Sequence, residues 1–246
     1  MDKSLYISMT GASQTMRAQA IHANNLANAG TTGFQADLAQ ARSMAVYGSG
    51  MPSRVYSMTE NPGTDFTRGS LQQTGNTLDM AVRGEGYFAV QAPDGSEAYT
   101  RAGDLELTVF GELVTGNGLP VLGNNGPVVL PPFETVEFGE DGTVSVRELG
   151  QGAEILAAID RIKLVNPQPG ELIKGADGLL RRTDGGDSVA DVQVQLVSGY
   201  LESSNVNVVD SMVEMINLTR SYEMNVKFMQ TVQENSETSA RLLQIQ

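Results

Sequence analysis

The chain of 246 residues contains no cysteine and no tryptophan, and its one histidine is His22. Without cysteine it can form no disulfide, no thiolate metal site and no thiol nucleophile. A single histidine excludes metal sites built on two imidazoles, and it would confine any histidine base to the N-terminal segment. We therefore expect no catalytic site, no metal and no cofactor. No apolar run approaches the roughly 20 residues that cross a bilayer, so we do not expect a membrane-spanning protein.

Basic residues are scarce as well. Lysine and arginine number 16 against 29 acidic residues, a net charge of −13, which would repel phosphates and argues against a nucleic-acid partner. The start, Met1-Asp2-Lys3-Ser4, lacks a basic n-region, and Leu5 to Met9 is too short for the apolar core of a signal peptide. We therefore expect no cleaved secretory signal.

Glycine and proline are confined largely to the middle of the chain. Of 27 glycines, three precede residue 40 and none follows Gly199, and all nine prolines lie between Pro52 and Pro169. Because these residues form turns and break helices, the pattern predicts an α+β fold. Helices at the two ends form a coiled-coil-like domain, and they flank a central, mainly antiparallel, all-β domain. The predicted segments are an N-terminal helix at 1–33, an extended connector at 34–70, the β domain at 71–204 and a C-terminal helix at 205–246.

Both ends carry an apolar stripe with alternating spacings of four and three residues, typical of a helix seam. The N-terminal stripe is Leu5, Met9, Ala12, Met16, Ala23 and Leu26, interrupted by Gln19. The C-terminal stripe runs from Val208 through Met212, Met215, Tyr222, Val226 and Met229 to Leu243. Stripes this narrow favour packing of the helices on each other and on other copies, with packing inside one domain as the alternative. We expect both ends to be largely disordered in the free chain.

The middle contains short alternating segments separated by turn signals. Predicted strands are Leu78–Val82, Tyr87–Gln91, Leu105–Val109, Val144–Arg147, Arg161–Val165 and Val192–Val197. Predicted turns are Pro93-Asp94-Gly95, Asn117-Gly118, Asn124-Asn125-Gly126, Asp141-Gly142 and Asp184-Gly185-Gly186. The connector at 35–70 shows no regular period and contains Gly48-Ser49-Gly50 and Asn61-Pro62-Gly63.

Two motifs invite an enzymatic interpretation. Gly84-Glu85-Gly86 loosely matches a dinucleotide-binding loop, but Tyr87-Phe88-Ala89-Val90 continues as a strand, which favours a tight bend. Glu140-Asp141 could serve a glycosidase, although Gly142 beside it favours a turn and the chain has no tryptophan to line a sugar cleft. The structural interpretation is the stronger one at both positions.

Four ordered blocks resemble the flagellar rod and hook proteins. The first is Ala23-Asn24-Asn25-Leu26-Ala27-Asn28 with Thr31-Thr32-Gly33-Phe34. The second runs from Gly69 and Leu71 through Leu78-Asp79 to Gly84, Gly86, Tyr87 and Phe88. The third contains Thr100-Arg101 and Gly111 to Gly118, and the fourth runs from Leu201 to Asn207 and on through Met212, Arg220, Tyr222 and Glu223. Together the blocks span nearly the whole chain, and the short connector before Gly69 is similar to that of proximal-rod members.

The resemblance implies a structural subunit of the basal-body rod in the periplasm, which polymerises into a helical tube that transmits motor torque. Its expected partners are other rod subunits, further copies of itself and, in transit, the type III export apparatus, which would read an uncleaved N-terminal signal. A distal-rod or hook-type subunit is one alternative, and a periplasmic glycan-binding or glycan-cleaving β domain is another. The expected assembly residues are Asn24, Asn25, Leu26, Asn28, Phe34, Asn205, Val206, Arg220, Tyr222 and Glu223. Intramolecular roles are the alternative, with Asn28 as a helix terminator and Arg220 with Glu223 as a surface pair.

Overall fold

The computed structural model describes residues 4–45, 55–60, 63–148 and 156–244. By packing, the chain divides into two compact units. The helical unit comprises Met1–Asn28, Ala36–Asp65 and Val206–Gln246, and the β unit comprises Ala29–Gln35 and Phe66–Asn205. Residues 29–33, which the sequence analysis assigned to the N-terminal helix segment, thus belong to the β unit, and most of the connector belongs to the helical unit.

The helical unit contains the two predicted helices, α1 over Ser4–Ala27 and α2 over Val208–Gln244. Helix α2 begins at a side-chain cap, because Asn207 Oδ1 accepts hydrogen bonds from the Val209 amide at 3.1 Å and the Asp210 amide at 3.4 Å. The prediction of a helix at each end of the chain is confirmed.

The connector contains a hairpin that the sequence analysis did not predict. Strand β1, Gln40–Ala45, pairs antiparallel with β2, Val55–Glu60. Their residues are mainly small or polar and leave no apolar alternation to recognise. The hairpin is fastened to α1 by Gln14, whose side-chain oxygen accepts from the Thr59 amide at 2.8 Å and whose carbonyl accepts from the Thr59 hydroxyl at 3.1 Å. The signals Gly48-Ser49-Gly50 and Asn61-Pro62 lie outside the described residues.

The face of α1 that packs within the helical unit is small and polar. Its buried residues are Ser8, Ala12, Thr15, Ala18 and Asn25. Gly11 lies so close to α2 that a β carbon there would be 3.2 Å from the Asn225 side chain. Of the predicted apolar stripe only Ala12 is buried, while Leu5, Met9 and Met16 are exposed. The large apolar side chains of α1 therefore point away from the face that the chain itself covers.

The β unit is built from short antiparallel strands. They are β3 Leu71–Gln73, β4 Met80–Arg83, β5 Tyr87–Gln91, β6 Glu97–Thr100, β7 Leu105–Leu107, β8 Leu113–Thr115, β9 Leu122–Gly123, β10 Gly126–Pro127, β11 Phe133–Phe138, β12 Thr143–Glu148, β13 Ala157–Arg161, β14 Leu164–Val165, β15 Leu172–Lys174, β16 Leu180–Arg182, β17 Gln195–Ser198 and β18 Tyr200–Glu202. The largest sheet has the order β14-β5-β6-β16-β15, and β11-β12-β13 form a second sheet. The remaining strands pair in twos, β3 with β18, β4 with β17, β7 with β8 and β9 with β10.

Strand β5 separates two apolar clusters. Phe88 and Val90 face the larger cluster, while Tyr87 and Ala89 face the smaller one. Since successive side chains of a strand point to opposite faces, one five-residue strand serves both. Strand β12 buries only one of its faces, which carries Val144 and Val146.

The predicted turns and bends of the β unit are confirmed. The amide of Gly95 donates to Ala92 and that of Gly118 donates to Thr115, and both glycines have positive φ angles, 83° and 76°. The Gly84-Glu85-Gly86 motif is the bend between β4 and β5, as expected from the strand that follows it. Asp141 lies in a turn, where its carboxylate accepts from the Thr143 hydroxyl at 2.8 Å and the pKa of Asp141 is lowered by that bond.

We predict that limited proteolysis of the free full-length chain will remove the helices before it cuts the β unit. Among the α2 side chains that the structure describes, Val232 alone is buried, so little apolar burial holds this helix of 37 residues. Mass spectrometry of the fragments should show a resistant core of about residues 35–200. A native chain that stays intact under conditions that digest a denatured control would contradict this expectation.

We also predict that Asp104→Asn stabilises the β unit at neutral pH. Burial raises the pKa of the Asp104 carboxyl, the charge of Asp79 raises it further, and Asp104 Oδ1 is buried without a hydrogen-bond partner. A raised folded pKa means that the folded chain binds the proton more tightly than the unfolded chain, so ionisation destabilises the fold. The advantage of the variant should be largest at pH 7 and shrink as the pH falls through the carboxyl pKa. Urea unfolding followed by tyrosine near-ultraviolet circular dichroism measures this, with Asp187→Asn as the exposed control, and a less stable Asp104→Asn at pH 7 would contradict it.

Candidate functional site

Asn25, one of the predicted assembly residues, has an intramolecular role in the structure. Its side chain is buried, its amide nitrogen donates to the Asp37 carbonyl at 2.8 Å, and its oxygen accepts from the Asp37 amide at 2.9 Å. Both polar groups of the Asn25 side chain are therefore hydrogen-bonded to the backbone of Asp37, which lies beyond the turn that follows α1. Asn25 holds the returning chain against α1.

Asn28 ends α1. Its side-chain nitrogen donates to the Asn24 carbonyl at 3.0 Å and its backbone amide donates to the same carbonyl at 3.1 Å. This agrees with the helix-terminator alternative. The side chain of Asn24 is exposed and that of Leu26 is half-buried.

Phe34 and Asn205 are brought together in the β unit, although 171 positions in the printed sequence separate them. The Asn205 amide donates to the Phe34 carbonyl at 3.3 Å, and its side-chain nitrogen donates to the Thr67 carbonyl at 3.0 Å. The Lys174 ammonium lies 4.1 Å from the centre of the Phe34 ring, within the range of a cation–π contact. These two predicted residues join chain segments inside the β unit.

The remaining predicted residues lie in the helical unit. Val206 and Tyr222 are half-buried, whereas Arg220 and Glu223 are exposed. No ion pair joins Arg220 to Glu223 in the described part of α2, so the alternative of a surface pair between them is not supported. Arg220 lies between Ile216 and Met224 on the outward side of the helix.

We call Val209, Val213, Ile216, Met224 and Phe228 the outer stripe of α2. Their exposed fractions range from 52% to 68%, and their spacing of four, three, eight and four residues places them on one side of the helix. The half-buried residues Met215, Leu218, Tyr222 and Met229 lie on the opposite side. Isolated exposed apolar residues are ordinary, but several on one side of a helix, here interrupted by the exposed Arg220 and Lys227, are typical of a protein-binding surface.

A second feature, which sequence reasoning missed, is a buried ion pair in the β unit. Arg101 Nη1 lies 2.7 Å from Glu202 Oε2, with side-chain exposures of 3% and 4%. Arg101 Nη2 donates to the Gly84 carbonyl at 2.7 Å, and the guanidinium lies 5.3 Å from the centre of the Tyr87 ring. Both residues occur in the motif blocks, but 101 positions separate them and no local pattern links them.

Glycines surround this pair. The Gly69 amide donates to Glu202 Oε1 at 3.0 Å, and the Gly33 amide donates to the Glu202 carbonyl at 2.8 Å. Gly33 has a φ of 64°, and a β carbon there would lie 2.2 Å from the Arg101 carbonyl carbon. A β carbon on Gly69 would lie 1.8 Å from the Ser203 carbonyl oxygen. Only glycine fits at either position. We call Arg101, Glu202, Gly33, Gly69 and Gly84 the Arg101 cluster.

Tyr87 and Gln35 lie beside the cluster. Burial raises the pKa of the Tyr87 hydroxyl, which accepts a long hydrogen bond of 3.5 Å from Gln35 Nε2. The Lys174 ammonium donates to the Gln35 carbonyl at 2.7 Å. The segment 33–35 is therefore held to the β unit by backbone, side-chain and ring contacts.

The chemistry of the Arg101 cluster is that of a structural joint. Its two charges neutralise each other and are closed to solvent, so they are unsuited to proton transfer with a substrate. In residues 4–45, 55–60, 63–148 and 156–244, no group of three or more histidines or acidic residues is placed to hold a metal ion. Neither helix, over its described residues, is long and apolar enough to cross a membrane.

We predict that Glu202→Gln lowers the free energy of unfolding of the β unit by about 3–5 kcal/mol, because the Arg101 charge would stay buried without a counter-charge. The matched control is Glu85→Gln, which removes the partner of Arg68 in an exposed pair at 3.7 Å and should cost less than about 1 kcal/mol. Urea unfolding followed by tyrosine near-ultraviolet circular dichroism compares the two. Equal effects of the two substitutions would show that the buried pair is not important for stability.

Three models of known protein families match separate regions of the chain. The model of the flagella basal body rod protein family matches residues 5–35, that of the flagellar hook protein FlgE/F/G D1 domain matches 81–146, and that of the flagellar basal body rod FlgEFG protein C-terminal region matches 197–242. The first match contains nearly all of α1, the third contains most of α2, and the second contains Arg101.

Similar proteins cover the chain from end to end. The flagellar basal-body rod protein FlgF of Escherichia coli is 39% identical over 249 residues, with 99% of each chain covered. FlgF of Salmonella typhimurium is 38% identical, again with 99% of each chain covered. A FlgG rod protein of Buchnera aphidicola is less similar, 32% identical with 94% of this chain and 96% of its own length covered. The chain belongs to the FlgF family of flagellar basal-body rod proteins.

Proposed function

We propose that this chain is a structural subunit of the flagellar basal-body rod, of the proximal type, and that it works by polymerising into a helical tube that transmits motor torque. The observation that carries the proposal is the outer stripe of α2. An apolar surface that the subunit leaves uncovered on its own long helix is suited to contact with neighbouring subunits.

The outward residues of α1 extend the argument. Leu5, Met9 and Met16 are 40%, 54% and 57% exposed, so both helices carry unpartnered apolar side chains. A contact between different surfaces of successive subunits does not close on itself and generates a helical filament. Many small contacts along two helices act in parallel, which suits a part that bears torque.

Several finer features belong to the same proposal. Helices of neighbouring subunits pair in a coiled-coil-like manner, and the partners are other rod subunits and further copies of this chain. The site is the periplasmic rod, which the chain reaches through the type III export apparatus without loss of a signal peptide. Arg220, Tyr222 and Glu223 on α2, with Asn24 and Leu26 on α1, contribute to these contacts.

The proposed role is structural and involves no catalysis. The glycan alternative depended on Glu140-Asp141, and the Asp141 carboxylate is engaged by Thr143 in a turn. The distal-rod alternative is disfavoured by the lower identity to the FlgG rod protein.

The test is complementation of cells that lack the gene for this chain. Motility and electron microscopy of isolated basal bodies should show no rod beyond its base in the deletion strain and a complete rod after complementation with the full chain. The double variant Val213→Asn with Ile216→Asn should fold, as judged by circular dichroism, and should reduce motility at least about tenfold, because it makes the outer stripe polar. Gln230→Asn, on the same helix outside the stripe, is the matched control and should restore motility fully.

Two results would count against the proposal. A deletion strain with intact flagella would remove the axial role altogether. Full motility with the double variant would show that assembly does not depend on the outer stripe.

A further inference from the structure

The last segment of the β unit supplies partners to its first segments. We call residues 195–205, which contain β17 and β18, the closing segment. Strand β17 pairs with β4, and β18 pairs with β3, over the full length of these strands. The Ser203 amide donates to the Ser70 carbonyl at 2.9 Å, and the Ser70 amide donates to the Ser203 hydroxyl at 3.0 Å, across 133 positions of sequence. The two ends of the β unit are therefore joined directly.

The first strands of the unit have no substitute for these contacts. Strands β3 and β4 each belong to a two-stranded sheet, so among the described residues β18 and β17 are their only partner strands. Strand β4 lies in the core, where Met80 and Ala81 are fully buried. Without β17, the backbone groups on one edge of β4 would be buried unpaired, which is costly. Leu196 of β17, itself buried, packs in the same apolar cluster as Met80.

The buried charge of Arg101 also depends on the closing segment. Its side chain is 3% exposed, and Glu202 of β18 supplies its counter-charge. The Gly84 carbonyl, which accepts from Arg101 Nη2, is neutral and cannot replace a carboxylate. A chain that lacks the closing segment would have to bury the guanidinium without a counter-charge or leave this part of the unit open. The native arrangement is thus accessible only when the closing segment is present.

We propose that the closing segment controls when the β unit folds. The part of the unit before position 195 stays unfolded until the closing segment joins it, and the whole unit then folds in one step. Bringing segments this far apart together costs chain entropy, which is offset only when the contacts form. Folding therefore does not proceed piece by piece from the N-terminal side.

This order of folding affects a chain that emerges N-terminus first, from a ribosome or from a channel. Domains ordinarily fold in the order in which they emerge. Here the β-unit residues before position 195 remain unfolded until the closing segment has followed them. A subunit that passes through a narrow export apparatus has to be unfolded in transit, and this device delays its folding. Its use in export rests on the proposed function, whereas the order of folding does not.

The first experiment follows refolding of the wild-type full-length chain by pulsed hydrogen exchange and mass spectrometry of peptic fragments. Fragments containing β3 and β4, β5 and β6, and β17 and β18 should all gain protection with one rate constant, because none of these strands is stable alone. The refolding follows a brief unfolding pulse, so that proline isomerisation, which takes tens of seconds, does not contribute a separate phase.

The second experiment measures folding and unfolding rates by stopped-flow tyrosine fluorescence. Leu196→Ala, in the closing segment, should slow refolding at least about tenfold and change unfolding much less, because β17 has to dock before the unit can fold. The matched control is Leu130→Ala. Leu130 and Leu196 are both 3% exposed and pack in the same apolar cluster, but Leu130 lies outside the closing segment. Its substitution should mainly speed unfolding.

Two outcomes would overturn the proposal. The first is protection of the β5 and β6 fragment before that of the β17 and β18 fragment, which would show that the unit folds without the closing segment. The second is a Leu196→Ala chain that refolds at the wild-type rate and only unfolds faster, as expected for Leu130→Ala. The exchange experiment uses the wild type, so it decides the question even where a variant does not fold. Neither result bears on the rod role, which the deletion strain decides separately.

Discussion

The Arg101–Glu202 pair is the interaction on which the rest of the β unit depends. Glu202 uses one carboxylate oxygen for Arg101, the other for the Gly69 amide, and its carbonyl for the Gly33 amide. Three separate passages of the chain are thus fastened to one acidic residue. A buried charge pair of this kind contributes less to net stability than to defining one arrangement, because the alternatives would leave a charge without its partner.

The glycines of the motif blocks have a physical explanation in the same region. Gly33 and Gly69 allow backbone segments to approach Arg101 and Ser203 more closely than any β carbon permits, and Gly103 lies equally close to the Met80 carbonyl. Each close approach lets a backbone amide or carbonyl reach its partner directly. Gly86, part of the motif that loosely matches a dinucleotide-binding loop, also serves close packing, because a β carbon there would lie 2.7 Å from the Val194 side chain.

Local patterns predicted the features that depend on local physics. Helix periodicity located α1 and α2, and turn chemistry located the bends at Gly95, Gly118 and Asp141. Side-chain direction was less accessible. The stripe on α1 was expected to pack on the other helix and on other copies, and within the chain the structure buries Ser8, Thr15 and Ala18 together with only Ala12 of the stripe. The β1-β2 hairpin has no apolar alternation, and the hydrogen bond that fastens it to α1 joins Thr59 to Gln14, 45 positions earlier. Arg101 and Glu202 meet only because the whole β unit folds, so no window of sequence could pair them.

The packing of the helices leaves large apolar side chains on the outside of the helical unit. Small residues such as Gly11, Ala12 and Ala18 bring α1 close to its own unit while leaving the large side chains outside. A long outward row offers many equivalent weak contacts, which tolerate bending and share a load among neighbours. The helix surface is thus suited to continuous assembly, in which no single contact has to be strong.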